Sequence, residues 1–293
     1  MSSAPSRGAP SITVLHDRLR PEEQLLFDAL EQRGAHVERV YAPAWHWQAG
    51  AARREGETVL LRTLSHARTL AIARALEADG AQVINSAHVI EVCGDKAATT
   101  AALAAAGVPQ PRTAIAFGRD EVLAIAEDFG WPIVLKPVVG SWGRMISRLS
   151  DVDALDAVLE HKTHLGGPQH QVFYVQEHVN KPGRDLRAFV VGDRVVAAIA
   201  REGEDWRTNT ARGAVVRGMP TGPMEEIALA AARAVGGGVL AVDLLESGSE
   251  LLISEVNHGL EFRNSSAPTG VDIPGEIASY LIAQAERYAQ HVS

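Results

Sequence analysis

Hydrophobic and polar positions in this chain alternate in short bursts, separated by longer stretches of helical period. Residues 12–16 (ITVLH) read as a first strand. The segment PEEQLLFDALEQRG (21–34) reads as a helix, with Pro at its start, acids in its first turn and a glycine stop. Short strands follow at HVERVYA and TVLLR, then a helix from Ser65 to Asp79 and a strand at AQVIN. This β-α-β alternation, to about residue 90, predicts a small open parallel sheet. No GxGxxG follows the first strand, so a dinucleotide fingerprint is absent.

The pattern then changes. An alanine-rich helix, DKAATTAALAAAG, is closed by Gly107 and the turn VPQP. A strand (TAIAF), a helix (119–129), the strand IVLKPV, the loop VGSWGR, a strand at MISRLS and a helix from Asp151 complete a second block. The third block holds VFYVQEHV and the hairpin LRAFVVGDRVVAAIAR, whose Gly-Asp suits a primed turn. After a helix from about Pro223 come a second hairpin, VLAVDLLESGSELLISEVN, and a last helix from Ile273. The order predicts α/β leading into α+β, in three blocks without internal repeats.

Bulk properties narrow the function. At 293 residues there is core-forming material for several small domains. A net charge of −8 excludes a broad nucleic-acid footprint. Residues 184–217 nevertheless hold seven arginines against five acids, which suggests a local anionic ligand. The single Cys93 excludes an internal disulfide and a thiolate zinc cluster. The N-terminus MSSAPSRGAP reads as a flexible tail without an apolar targeting core. The most apolar window, 227–246, is broken by Arg233, three glycines and Asp243, so no membrane span is expected and the setting reads as cytoplasmic.

Common catalytic templates fail: no GxxxxGK[ST], HExxH or GxSxG occurs. His161 and His164 share a helix face but have no partner at ligand spacing. What remains are polar residues at strand and helix ends. Lys136 ends IVLK just before a glycine-rich loop, and an ammonium in such a run calls for an anion. The loop Gly140-Ser141-Trp142-Gly143-Arg144 suits backbone approach to a phosphate, although a plain hairpin connection explains it equally well. Lys96 sits at a helix N-terminus, the unfavourable end for a cation unless an anion binds there. In a strand, Glu255 and Asn257 share one face. A three-residue loop at SGSE would set Asp243 opposite Glu255, giving a hard-oxygen set suited to magnesium; a two-residue turn would send Asp243 to the other face.

Together, CGDK, LKPVVGSWGR, QHQVFYVQEHV, KPGRD, TNTARG, AVGGGV, EVNH and TGVDIPG resemble the ATP-grasp superfamily, in its RimK-like branch. Within that branch the chain is most similar to the LysX family of α-aminoadipate–LysW ligases, over about residues 11–285. The resemblance implies an ATP-grasp fold, with a tail (1–10), an N-terminal α/β domain (11–95), a central lid domain (96–171) and a C-terminal domain (172–293) carrying the metal and substrate site. It implies ATP and magnesium, two ions, as cofactors, and LysW and α-aminoadipate as partners. It further implies a homo-oligomer, dimer or tetramer, and no nucleic-acid or membrane partner.

The resemblance also distributes roles. Lys96 and Lys136 would hold the α/β-phosphates, under the lid Gly140, Ser141, Trp142, Gly143 and Arg144. The hinge Gln176, Glu177, His178 and Val179 would meet adenine, chiefly through the backbone of Glu177 and Val179, and Asp185 would bind ribose. Arg187 and Arg201 would clamp the transferring phosphoryl. Asn209, Thr210 and Arg212 would gather phosphate and amino acid. Asp243, Glu255 and Asn257 would ligate magnesium, and Glu261, Phe262, Asn264 and Ser265 would contact the amino acid. Two positions depart from the pattern: His178 replaces a usual Tyr, and Ala97 a bulkier aromatic. The competing expectations are a glutamate-using sister ligase, on the same carrier or on a ribosomal protein, and a nucleotide-binding regulatory module. The Asn264-Ser265 pair favours α-aminoadipate over glutamate. For docking an acidic carrier, the arginine segment with Lys181 is the expected basic patch.

Overall fold

The computed structural model describes residues 9–50, 53–140, 145–165, 167–203, 205–206 and 213–292. The first sheet comprises β1 (Ser11–His16), β2 (His36–Tyr41), β3 (Thr58–Arg62) and β4 (Gln82–Ile84), all parallel, in the order β2-β1-β3-β4. Its crossovers include α1 (Pro21–Gln32) and α2 (His66–Ala78). The Ser65 hydroxyl caps α2 by accepting from the Arg68 N–H. Next come α3 (Ala87–Gly94), which the hydrophobic pattern did not separate out, and α4 (Lys96–Ala105). Asp95 joins them: its Oδ1 accepts from the N–H groups of Ala97 and Ala98 at 2.8 and 3.0 Å, so α4 begins at Lys96.

The second sheet is antiparallel, in the order β5-β8-β6-β7, from β5 (Thr113–Ala116), β6 (Ile133–Lys136), β7 (Ser147–Leu149) and β8 (Phe173–Glu177). It carries α5 (Arg119–Phe129) and α6 (Val152–Leu165) over its own small core. The third sheet is also antiparallel, in the order β11-β10-β9-β12-β13. Its strands are β9 (Arg184–Val191), β10 (Arg194–Glu202), β11 (Val215–Met219), β12 (Val239–Ser247) and β13 (Glu250–Asn257). The edge strand β11 went unread in the sequence because its residues are half-exposed and lack alternation. The helices α7 (Gly222–Val235), α8 (Ser266–Thr269) and α9 (Ile273–Val292) complete the fold. The α/β start and α+β continuation expected from the pattern are both present. Among the described residues no helix is long and apolar enough to cross a membrane.

Strand alternation divides the third sheet between two cores. Leu186, Ala188, Val190, Leu240, Val242, Leu244 and Val256 face α7, which offers Met224, Ala228, Ala231, Ala232 and Val235 at helical spacing. Phe189, Val191, Ala197, Ile199 and Ala241 face the other way, into a core shared with α1, α9 and the first sheet. The first and third sheets therefore share one core.

Asn85, just after β4, fixes that junction. Its Nδ2 donates to the carbonyls of Val239 and His258 at 2.8 Å each, and its Oδ1 accepts from the Val239 N–H at 2.7 Å. Gly238 makes room: a Cβ there would lie 2.1 Å from Asn85 Oδ1.

The hairpin β12–β13 settles the question left by the SGSE turn. Ser247 pairs with Glu250, so the turn has two residues, Gly248 and Ser249, not three. Gly248 has φ +61° and Ser249 is not left-handed, as in a type II′ turn. On that turn alone Asp243 would miss Glu255. A bulge corrects the register: Leu244 pairs with Ile253 but Asp243 with Glu255, and Ser254 is the extra residue. The expected pairing exists for a different reason.

Replacing Asn85 by Ala would orphan an N–H and two carbonyls. We expect a loss of about 2–4 kcal/mol of stability, read as a lower urea midpoint; an unchanged midpoint would refute the clamp.

Candidate active site

A row of side chains crosses the third sheet on the face turned toward the first. The register sets Arg187 of β9 beside Asp243 of β12, and Asp243 beside Glu255 of β13. One step along lie Phe189, Ala241 and Asn257; on the other side, Arg201 of β10 pairs with Asp185 of β9. Antiparallel pairing puts directly opposed residues on one face, so four strands contribute to one surface.

Asp243 is the hub. Arg187 grips it bidentately at 2.6 and 2.8 Å, and Arg201 Nη2 lies 3.2 Å away. Burial alone would raise its pKa, but the two guanidiniums outweigh that and hold it down to about 2. Arg201, 4 % exposed, also donates from Nε to Asp185 Oδ1 at 2.5 Å. Burial pulls the Arg201 pKa down, and the two carboxylates more than reverse it.

The second sheet supplies the facing wall. Lys136, at the end of β6, is buried and donates to Gln176 Oε1 at 2.7 Å. Gln176 is held by Thr113, whose hydroxyl accepts from Nε2 at 3.0 Å. Burial lowers the Lys136 pKa to about 8; Lys96 and Lys181 add to the effect, and Glu255 and Asp243 oppose it. Lys96 bridges the two walls, 3.1 Å from Glu255 Oε1 and 2.6 Å from the Gly140 carbonyl. The main-chain N–H of Lys96 donates to the Val138 carbonyl, pinning the glycine-rich loop to the start of α4.

Among the described residues the row and its facing wall gather five cations (Lys96, Lys136, Lys181, Arg187, Arg201) around three carboxylates (Asp185, Asp243, Glu255), a balance that favours an anion.

Other residues expected at the site fall variously. Glu177 ends β8: its N–H donates to the Arg112 carbonyl, and its carboxylate accepts from the Arg112 N–H. The His178 ring lies 6.2 Å from that of Trp206. The carboxylate of Asp185, assigned by resemblance to ribose, faces Arg201 and Lys181. Ser141, Trp142, Gly143, Arg144, Asn209, Thr210 and Arg212 lie outside the described residues.

Next to this row opens a cavity of about 470 Å³, lined by Arg187, Arg201, Asp243, Glu255, Asn257, Glu261, Asn264 and Ser265. Phe262 is a correction. It is 0 % exposed and belongs to the core with Leu260 and Ile273, so it anchors the loop and does not face the cavity. The segment expected to dock the carrier divides between two settings. The side chains of Lys181, Arg187 and Arg201 are 12 %, 17 % and 4 % exposed and ion-paired within the cleft. Arg194 and Arg217 are exposed at the surface, beside Glu276 and Glu202, and Arg207 and Arg212 lie outside the described residues.

The lining residues missed include three charged ones from the N-terminal part: Arg20 and Glu22, flanking the first residue of α1, and Arg62, ending β3. Arg62 carried the same signal as Lys136, a charge closing an apolar strand.

The fit to magnesium rests on donor chemistry. Asp243 and Glu255 are opposed in register and Asn257 shares their face, which gives hard oxygen donors. Asn257 would ligate through Oδ1; its Nδ2, a donor, is buried without a hydrogen-bond partner and suits an acceptor oxygen of an anionic ligand. Among the described residues no group of three His, Cys, Asp or Glu is disposed to hold a metal, so the amide is needed to complete the set.

An antiparallel sheet and a small α+β sheet closing on a cationic cleft, preceded by a parallel α/β unit, define an ATP-grasp ligase. A model of the RimK-like ATP-grasp domain matches residues 93–281, and one of the LysX preATP-grasp domain matches residues 12–92. The chain belongs to the RimK-like ATP-grasp family and is an ATP-dependent carbon–nitrogen ligase. It is 35 % identical over 273 residues to the alpha-aminoadipate–LysW ligase LysX of Sulfolobus acidocaldarius, covering 90 % of this chain and 97 % of that one. It is also 30 % identical over 274 residues to the glutamate–LysW ligase ArgX of the same organism, covering 92 % and 97 %. A RimK domain ATP-grasp protein of Sphaerobacter thermophilus superposes with a TM-score of 0.78 at 27 % identity, over 92 % of this chain and 98 % of that one.

The lowered pKa of Lys136 predicts a pH-dependent affinity for a phosphate placed against it. The lysine would lose its charge above about pH 8, and a phosphate beside it would restore that charge. The sign is opposite for the stability of the fold, which is relieved of a buried charge, and so gains stability, as pH rises from 8 toward 10.5. We expect ATP to bind about tenfold more weakly at pH 9 than at pH 7, with proton uptake on binding, both lost in Lys136→Met. Calorimetry in buffers of different ionisation enthalpy decides; equal affinities at the two pH values would contradict it.

Proposed function

We propose that this protein joins the α-amino group of α-aminoadipate to the γ-carboxylate of the C-terminal glutamate of a LysW-type carrier, in lysine biosynthesis in the cytoplasm. The observation that carries the reading is the continuity of the cationic cleft with the cavity lined by Asn264 and Ser265. One end suits a nucleoside triphosphate and the other an amino acid, and the Arg187–Asp243–Glu255 row lies at their junction.

The chemistry follows from charge. A carrier carboxylate oxygen attacks the γ-phosphorus of ATP, and ADP leaves. The deprotonated amine then attacks the acyl carbon, and phosphate leaves with the bonding electrons. Lys96 and Lys136 would neutralise the phosphates, which requires Lys96 to exchange Glu255 for the nucleotide. Arg187 and Arg201, held in place by Asp243 and Asp185, would meet the transferring phosphoryl and then the acyl phosphate. Asp243, Glu255 and Asn257 would hold magnesium, two ions on the family pattern, which would supply positive charge against the phosphates when bound. The hinge Gln176–Val179 would seat adenine, and the buried Gln176 would keep the Lys136 ammonium aimed at phosphate.

On the substrate side, Asn264 is exposed to the cavity while Ser265 is 3 % exposed and fixed: its N–H donates to the Phe262 carbonyl at 2.8 Å, and its carbonyl accepts from Thr269 Oγ1 at 2.7 Å. A rigid polar pair at the cavity wall supports selection by side-chain length. Glutamate is the second reading, supported by the similarity to the glutamate–LysW ligase.

Glu255→Ala should lower ADP formation more than about 100-fold with the thermal melt retained; near-normal turnover in magnesium would remove Glu255 from the metal set. With purified carrier, wild-type enzyme should consume α-aminoadipate in preference to glutamate. Mass spectrometry of the carrier after competition between the two reads the outcome, and a preference for glutamate would overturn the choice of substrate.

A further inference from the structure

The cavity has a wall that the ATP chemistry leaves unused. It is built on the first sheet and the start of α1. Glu23, 0 % exposed, anchors it: Arg20 grips this carboxylate from Nε and Nη2 at 3.0 and 2.8 Å, and Arg62 donates to it from Nε at 3.0 Å. Arg62 also donates from Nη1 to the Leu260 carbonyl at 2.8 Å, tying the wall to the loop that carries Asn264 and Ser265. One buried carboxylate therefore supports two guanidiniums.

Their remaining donors are not fully met. Arg20 Nη1 is taken by Glu261, whose side chain is 43 % exposed, at 2.5 Å. Arg62 Nη2 lies 3.0 Å from the Glu23 oxygen that already takes two donors, and makes no aligned hydrogen bond. Beside them, Glu22 is 7 % exposed, lines the cavity and has no ion-pair or hydrogen-bond partner among the described residues. A guanidinium with one donor unmet and a carboxylate without a partner, on one cavity wall, suit a ligand that carries both signs.

We propose that this wall is a zwitterion site for the incoming amino acid, in which Arg20 and Arg62 take a carboxylate and Glu22 takes the ammonium group. This rests on the ligase reading above and adds to it the residues that recognise the amino-acid head. An α-amino acid bears both charges on one carbon, and the fork of an arginine matches a carboxylate bidentately. Glu261 is the internal anion that the substrate carboxylate displaces from Arg20. Asn264 and Ser265, on the tethered loop, then meet the rest of the molecule.

The test is calorimetric titration of the full-length protein, with a non-hydrolysable ATP analogue and magnesium, by three probes: L-2-aminoadipate, L-glutamate and glutarate, which lacks the amine. Glu22→Gln should weaken the amino acid it binds best at least tenfold while leaving glutarate within about twofold. Arg20→Met should weaken all three probes at least tenfold, and Arg20→Lys, which keeps the charge against Glu23 but loses the fork, serves if Arg20→Met does not fold. The site is overturned if the wild type binds neither amino acid, if Glu22→Gln weakens glutarate as much as the amino acid, or if the Arg20 variants bind like wild type. A parallel ligase assay separates the two ideas. Amide formation by a wild type that fails these titrations sinks the zwitterion site alone; the expected titrations without amide formation sink the proposed activity alone.

Discussion

The structure turns on a carboxylate that has no business being where it is. Asp243 sits mid-strand in the third sheet, 6 % exposed, where an unpaired ion would be expelled or neutralised. It survives because sheet register brings Arg187 alongside it and Arg201 within 3.2 Å. Removing either partner would leave an uncompensated charge, a cost of several kcal/mol, whereas the intact cluster adds little net stability. Such a cluster is poor cement but a sensitive junction. Arg201 is shared between Asp243 and Asp185, and each carboxylate is a hard-oxygen donor, so a metal or phosphate arriving here would exchange partners rather than create charge.

That exchange explains why so many cations point inward. Lys96 spans from the Gly140 carbonyl to Glu255, and Lys136 leans on Gln176 with its charge weakened by burial. A polyphosphate placed here would relieve the like-charge crowding. Any ligand that drew Lys96 from Glu255 would also act on the Gly140 carbonyl, because the same lysine makes both contacts.

How much of this was legible in the sequence depended on whether the cause was local. Strand alternation, the helix with Pro21 at its start and the turn at Gly192-Asp193 act within a few residues, and the elements appear where the pattern put them. Strand-end charges such as Lys136 and Glu255 were readable as anomalies. The register of Asp243 was not, since it results from two compensating irregularities, a shorter turn and a bulge at Ser254, neither with a distinctive residue signature. Phe262 was misplaced because the loop's neighbours decide which side chain turns inward. The inward turn of Arg187 and Arg201 was equally illegible, because their partners Asp243 and Asp185 come from other strands. Arg20 and Arg62 escaped notice for the same reason, being joined to the C-terminal loop through Glu261 and Leu260, about two hundred residues away in the chain.

The relatives pose the last physical question, since chains that use glutamate and chains that use α-aminoadipate match this one almost equally well. The two substrates share the same charged head and differ by one methylene. A pocket distinguishes a methylene by only about 1–3 kcal/mol through apolar contact. A site that must seat a terminal carboxylate does better, because the wrong length leaves buried polar groups unpaired. The head must then be held rigidly, or the shorter substrate would slide to meet the same donors. On the proposed reading these tasks fall to two elements: charged groups fixed by Glu23 of α1, and the Asn264-Ser265 loop, tethered to that wall through Leu260 and anchored in the core by Phe262. With both ends held against one another, a change of one or two side chains in the loop can reset the preferred length without disturbing the phosphate chemistry behind it.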